Sequence, residues 1–237
     1  MSDNWPAELL ADGRSLRDVG GGVRSALPSS DAGAPYDRTA AAYDRLVRSR
    51  LYNRAVWSTS PEAYVAFAAD AIGSSDGPLL DVGCGTALFT AALYRASRRR
   101  IALVDRSQGM LARAAQRIGG RFGAAGPALL QADLFGLPFR PGSFDTVTCH
   151  GVLHLMDDVP AVLRALREQA APGAGLFASS LVGESSRGRA WLRMLHKAGE
   201  VVAPRSAAEV VALARAEWGE RVEVRRDGCM LFLTARA

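Results

Sequence analysis

The sequence predicts an α/β fold, with a mainly parallel sheet covered by helices on both faces, one reversed strand at its end and a helical cap ahead of it. Two observations carry this. From residue 79 onward, apolar strand-like runs at 79–83, 101–105, 127–132, 144–149 and 174–180 alternate with helical stretches at 86–98, 107–120 and 158–170. Such alternation buries a parallel sheet between two helix layers. The end breaks the pattern: a helix over 206–218 is followed by runs at about 221–226 and 229–236 that flank Asp227-Gly228. A two-residue Asp-Gly connection makes a tight hairpin, so the last strand runs antiparallel to its neighbour.

The cap precedes this core. Apolar residues at Tyr36, Ala40, Tyr43, Leu46, Val47 and Leu51 recur at helical spacing, and a second helix starts after Ser60-Pro61, a cap followed by proline at the first helical position, and runs to about Ile72. Gly73 to Pro78 breaks the chain and sets the boundary. Residues 1–35 mix Gly, Ser, Pro and Asp without periodicity and read as a flexible arm. The organisation expected is therefore arm 1–35, helical cap 36–77 and core 78–237, with 184–204 as a substrate-wall insertion. Asp18-Val19-Gly20-Gly21-Gly22 imitates a nucleotide-binding loop, but no buried strand leads into it.

At 237 residues, 49% of them apolar, the chain can bury one core but not two full catalytic domains. No apolar run reaches the roughly 18 residues needed to span a bilayer, and Met1 to Leu10 has no signal-peptide pattern, so a cytoplasmic location is expected. Cys84, Cys149 and Cys229 are odd in number and in no metal-ligand spacing, which suggests neither a disulfide framework nor zinc. The net charge of +5 is almost wholly arginine. Its densest run, Arg98-Arg99-Arg100, reads as a solvated turn after a helix; no aromatic residues interleave with it, as single-strand nucleic-acid binding would need.

Leu79-Leu80-Asp81-Val82-Gly83-Cys84-Gly85-Thr86 is an apolar strand leading into a glycine turn and then a helix, the prime ligand position in an open α/β sheet. Gly83 and Gly85 permit tight backbone geometry and close ligand approach. A dinucleotide-binding oxidoreductase would place a third small residue where Leu88 stands, and Asp81 sits poorly beside pyrophosphate. Asp81 suits an ammonium instead. Asp105 ends the next strand about 20 residues on, the spacing of a ribose-binding carboxylate. Asp133 ends a third strand, where it either accepts from an adenine amino group or caps a turn. Three carboxylates at three strand ends fit a cationic, phosphate-free ligand.

Together these residues resemble the class I S-adenosylmethionine-dependent methyltransferases, especially the small-molecule "methyltransferase domain" family, over roughly residues 36–237. The resemblance implies a Rossmann-like seven-stranded sheet with S-adenosylmethionine as cofactor. It assigns Asp81 to Thr86, with Cys84, to the methionine end, Asp105 to the ribose, Arg106 and Met110 to the adenine lining, and Ala132-Asp133-Leu134 to the adenine amide. Phe144 to His154 is similar to the fourth-strand motif, whose end faces the sulfonium and the acceptor. Gly173-Ala174 and His154-Leu155 depart from the family's usual Gly-Gly and His-His.

The catalytic candidates are His150, at a strand end where a base meets the acceptor, and Tyr43, implied by the resemblance. His150 alternatively packs or contacts the cofactor. His154 follows by four residues, but no third metal ligand accompanies the pair, and no metal is expected. Tyr52, Trp57, His154 and Trp191 are candidates for a substrate wall; Tyr64 and Phe67 share that role or, like the others, pack helices. The reaction expected is methyl transfer to a small, largely apolar metabolite, mainly by proximity and orientation. An NAD(P)-dependent oxidoreductase and a non-catalytic regulator that binds the cofactor are the rivals. Neither nucleic acid nor a membrane is expected as a partner, and the chain is expected to be a monomer or homodimer.

Overall fold

The computed structural model describes residues 5–28, 49–119 and 126–237. Its strands are β1 (Arg17–Asp18), β2 (Val23–Ser25), β3 (Leu79–Val82), β4 (Ile101–Asp105), β5 (Ala128–Gln131), β6 (Phe144–Cys149), β7 (Ala170–Leu181), β8 (Glu223–Asp227) and β9 (Met230–Arg236). They form one sheet in the order β1-β2-β5-β4-β3-β6-β7-β9-β8. β2 through β7 run parallel, whereas β9 lies antiparallel between β7 and β8. The order of β3 and its neighbours reverses direction there, which opens a crevice at the strand C-termini.

The helices are α1 (Pro61–Gly73), α2 (Ala91–Ala96), α3 (Gln108–Ile118), α4 (Val159–Gln169), α5 (Ser186–Lys197) and α6 (Ala207–Trp218). Side-chain caps set most of their starts: Ser60, Ser107, Asp158, Ser185 and Ser206 each accept a backbone N–H from the first turn, and Ser206 with Glu209 completes a capping box. Leu80, Val82, Val104, Leu130 and Val147 pack against one face of the sheet with α4 and α6, while Leu79, Ile101, Leu103 and Leu129 pack with α2 and α3 on the other. Buried on both faces, these strands read as continuous apolar runs. Among the described residues no helix is long and apolar enough to cross a membrane.

Several expectations change. The sheet has nine strands rather than seven, because β1 and β2 come from the segment expected to be a flexible arm. Val23 is buried, β2 pairs with β5, and Trp5 enters the core, so a few apolar residues hold residues 5–28 on the sheet edge despite their loop-like composition. The Asp18 to Gly22 segment is the β1–β2 turn, with Asp18 accepting from Gly20 N at 2.8 Å. Helix α2 is shorter than 86–98 because Ala87 adopts a left-handed φ of +50° and residues before Ala91 form turns. The helix expected over Tyr36 to Leu51 falls largely outside the described residues. What is described there is a turn at Arg50–Tyr52 that continues as a π-helical turn, Asn53–Trp57.

The terminal hairpin turns on Gly228-Cys229, one residue later than expected, with Asp227 paired to Met230. Gly228 sits at φ +59°, and a Cβ there would lie 2.3 Å from the Trp57 carbonyl oxygen, so the hairpin tip packs backbone to backbone on the Trp57-Ser58 segment. Arg99 also departs from the solvated turn expected of its run. It donates to Gly77 O at 2.7 Å, Ile72 O at 2.8 Å and Thr146 Oγ1 at 2.9 Å, satisfying carbonyls left open at the end of α1.

Candidate active site

The crevice is built from the ends of β3, β4, β5 and β6. Asp81 is 1% exposed; its Oδ2 accepts from Tyr94 Oη at 2.7 Å and its Oδ1 from Thr148 Oγ1 at 2.9 Å. Burial pushes its carboxyl up to about 6, against the pull of both hydroxyls. Asp81 therefore lies under the glycine loop, clamped by α2 and β6, rather than open at its rim.

Asp105 holds the loop from the next strand. Its Oδ2 accepts from Gly85 N at 2.8 Å and its Oδ1 from Ser107 N at 2.8 Å, which ties the glycine turn to the start of α3. The two glycines differ in use. A Cβ on Gly85 would meet nothing within 4 Å, so this glycine, at φ +54°, faces open space. On Gly83 a Cβ would lie 2.6 Å from Val152 Cγ2, so its bareness serves packing against the loop after β6. The Cys84 thiol points toward the Gly85 carbonyl, and burial, with Asp105 and Asp81 nearby, raises it well above the usual thiol range.

At the third strand end, Asp133 caps the turn Leu134–Gly136 through Phe135 N and pairs with Arg106. This pairing joins the cation at the end of β4 to the carboxylate at the end of β5. Met110 and Ala132 are buried beside it, and Leu134 is partly exposed. With Arg106 paired and Gly85 bare at the loop, the residues at these strand ends are compatible with a ligand that carries no phosphate, as S-adenosylmethionine is.

His150 closes β6. It is 6% exposed, with its ring centroid 5.5 Å from that of Tyr64 and 5.4 Å from that of Phe67, both on α1. Neither ring nitrogen has a hydrogen-bond partner among the described residues. Desolvation lowers its imidazole to about 4, so it is neutral across physiological pH. Tyr64 in turn packs on Phe89, 5.3 Å away, and Gly151 beside it is held by Ser179 Oγ at 2.9 Å. Phe89 and Ser179 were not singled out by the sequence; their signal is only their placement after the glycine loop and on β7.

The expected substrate residues are not brought together around His150. Trp191 Nε1 donates to Tyr52 Oη at 2.9 Å, and Tyr52 packs edge-on against both Trp57 and Trp191. Tyr52 thus joins the two tryptophans and docks the Asn53–Trp57 turn onto α5. His154 faces elsewhere, accepting from Leu181 N at its Nδ1 across 3.3 Å and lining a small crevice with Ser180, Leu192 and Arg205. Tyr43 lies outside the described residues.

Residues 80–178 match the family model described as "Methyltransferase domain". A malonyl-[acyl-carrier protein] O-methyltransferase from Halorhodospira halophila is 35% identical over 103 residues, 43% of this chain and 34% of that protein. An uncharacterized Synechococcus protein is 36% identical over 122 residues, 51% of this chain and 28% of that one. The alignments thus span about a third of these curated relatives. Among solved structures, a SAM-dependent methyltransferase from Thermotoga maritima superposes with a TM-score of 0.63 at 18% identity, covering 85% of this chain and 97% of that one. Phosphoethanolamine N-methyltransferase 2 of Haemonchus contortus, bound to S-adenosyl-L-methionine, gives 0.64 at 14% identity, covering 84% and 57%. Residues 80–178 thus match a methyltransferase-domain model, and the chain shares the fold of these solved S-adenosylmethionine-dependent methyltransferases.

Proposed function

We propose that this chain transfers the methyl group of S-adenosylmethionine to a small, largely apolar metabolite whose polar group meets His150. The observation that carries this reading is the buried imidazole of His150 between Tyr64 and Phe67, unpartnered among the described residues, at the strand end that the methyltransferase resemblance assigns to the reacting methyl. Leaving a buried polar group unpaired costs about 1–3 kcal/mol, a cost that a bound hydroxyl or carbonyl would offset. The curated relative is an O-methyltransferase and the Haemonchus neighbour an N-methyltransferase, so likeness does not choose the acceptor atom; His150 favours one presented as a neutral group. A neutral imidazole among aromatic rings offers a hydrogen bond to a neutral group and no charge to an ammonium.

Cofactor binding falls to Gly83, Cys84 and Gly85 with Asp105, and to Arg106, Met110, Ala132, Asp133 and Leu134 at the adenine end. Asp81 acts from beneath. The bound cofactor supplies an electrophilic methyl already activated as a sulfonium. The chain's own residues then have to hold the acceptor in line and keep water away, and such positioning contributes on the order of 7–11 kcal/mol at most. Incubation with methyl-labelled donor and a metabolite extract tests the proposal. Label should enter an organic-extractable small molecule, with His150→Asn reducing incorporation. Label confined to protein or nucleic acid, or none transferred, would contradict it.

A further inference from the structure

The sheet ends in an exposed strand, β8, which pairs on one side with β9 and has no strand on the other among the described residues. We propose that a second copy of this chain pairs there, β8 against β8 in antiparallel fashion about a two-fold axis at Val224, joining the two sheets into one. The hairpin fixes which groups face outward. Its two-residue turn makes Asp227 and Met230 the closing hydrogen-bonded pair, and bonded pairs then alternate through Arg225–Phe232 and Glu223–Thr234. The N–H and C=O of Val224 and Arg226 therefore point away from β9.

Registry selects the centre. A two-fold axis at Val224 sets Val224 opposite itself with outward-facing backbone groups on both copies, Glu223 opposite Arg225 of the second copy, and Arg221 opposite its Asp227. Both of these charged pairs are attractive, and each draws on a residue that also has a partner in its own chain: Arg225 reaches Asp70 at 3.4 Å, and Asp227 accepts from Thr59 Oγ1 and Ser60 N. Centring on Glu223, Arg225 or Arg226 would instead oppose like charges at the axis, which is destabilising in a cross-strand pair. The side chains are ready for it: residues 223–226 are exposed, and Val224 is 43% exposed, one of few large apolar residues that are. Arg225 lies over the Phe67 and Phe232 rings at 5.6 and 5.2 Å, on the face that Glu223 shares by strand alternation. Arg226 is engaged by Glu184 at 2.6 Å and is not needed across the axis. Edge strands usually repel such pairing with charges of one sign; here the Glu-Val-Arg order is self-complementary. The opposite edge, β1, is only two residues long.

Light scattering on the full chain across a dilution series tests this. The contact is small, so the dimer should form reversibly, with twice the 25.1 kDa chain mass approached at the high end. Val224→Pro removes the outward N–H without touching a bond to β9 and should leave a monomer with an unchanged circular dichroism spectrum. Glu223→Arg should also give a monomer, and adding Arg225→Glu should restore the dimer by exchanging the pair. If Val224→Pro fails to fold, the two charge variants decide. A wild type that stays monomeric up to about 100 µM, or a dimer that survives Glu223→Arg, would overturn the proposal.

Discussion

Tyr94 donates a hydrogen bond to Asp81 across 2.7 Å, joining α2 to β3 inside the core, two residues before the glycine loop begins. With Thr148 on the other oxygen, the carboxylate is held entirely by neutral hydroxyls. Tyr94→Phe removes one of them and should lower stability by about 1–3 kcal/mol, read from urea unfolding.

The same site gives stability a pH dependence. The folded carboxyl titrates near 6 and the unfolded one near its ordinary value of 3.8, so the folded state binds the proton more tightly. The contribution of Asp81 is thus most favourable below about pH 4 and declines as pH rises to about 6, by up to about 3 kcal/mol. Wild type should therefore lose stability relative to Asp81→Asn over that window. A constant difference would contradict the account.

His150 makes the opposite kind of prediction. His150→Phe removes two unpaired buried nitrogens while keeping an aromatic ring between Tyr64 and Phe67, so it should stabilise the fold by about 1 kcal/mol while cutting methyl transfer by about 100-fold or more. Its folded pKa of about 4 lies below the ordinary 6.5, so the unfolded chain takes up the proton first. Wild type should then lose stability relative to the variant as pH falls from 6.5 to 4, and turnover should show no inflection near 6.5 from this residue.

Two substitutions test how the terminal hairpin seats the cap. Gly228→Ala drives a Cβ into the carbonyl oxygens of Trp57 and Ser58 and should cost more than about 2 kcal/mol. Ser58→Gly relieves an exposed left-handed residue at φ +52° and should raise stability by about 0.5–1 kcal/mol. Thermal unfolding of both variants checks the pair.

The core was legible because its strands are buried on both faces and its helices carry serine or aspartate caps. Periodicity and caps thus place β3 to β9 and α1, α3, α4 and α6 within a few residues. Residues 5–28 were missed because their anchors, Trp5 and Val23 with the partly buried Leu9, Leu10, Leu16, Val19 and Ala26, sit on strands and turns of only two or three residues, too short to make a period. Arg99 illustrates a second limit: a charge run gives no hint that its middle member reaches back to the carbonyls of α1. At the site, the glycines and Asp105 stood out by spacing, whereas the clamp of Asp81 by Tyr94 and Thr148 joins positions with no sequence relation. The aromatics Tyr52, Trp57 and Trp191 have the composition of a substrate wall, and composition gives no hint that Tyr52 joins the two tryptophans.

Isothermal titration of the chain with S-adenosylmethionine and its demethylated product decides whether the crevice at the ends of β3 to β6 holds this cofactor. Both should bind in the micromolar range, weakened at least about tenfold in Asp105→Ala, which frees Gly85 N–H and Ser107 N–H from the carboxylate that orders the loop. No heat with either compound, together with clear binding of a nicotinamide dinucleotide, would contradict that assignment.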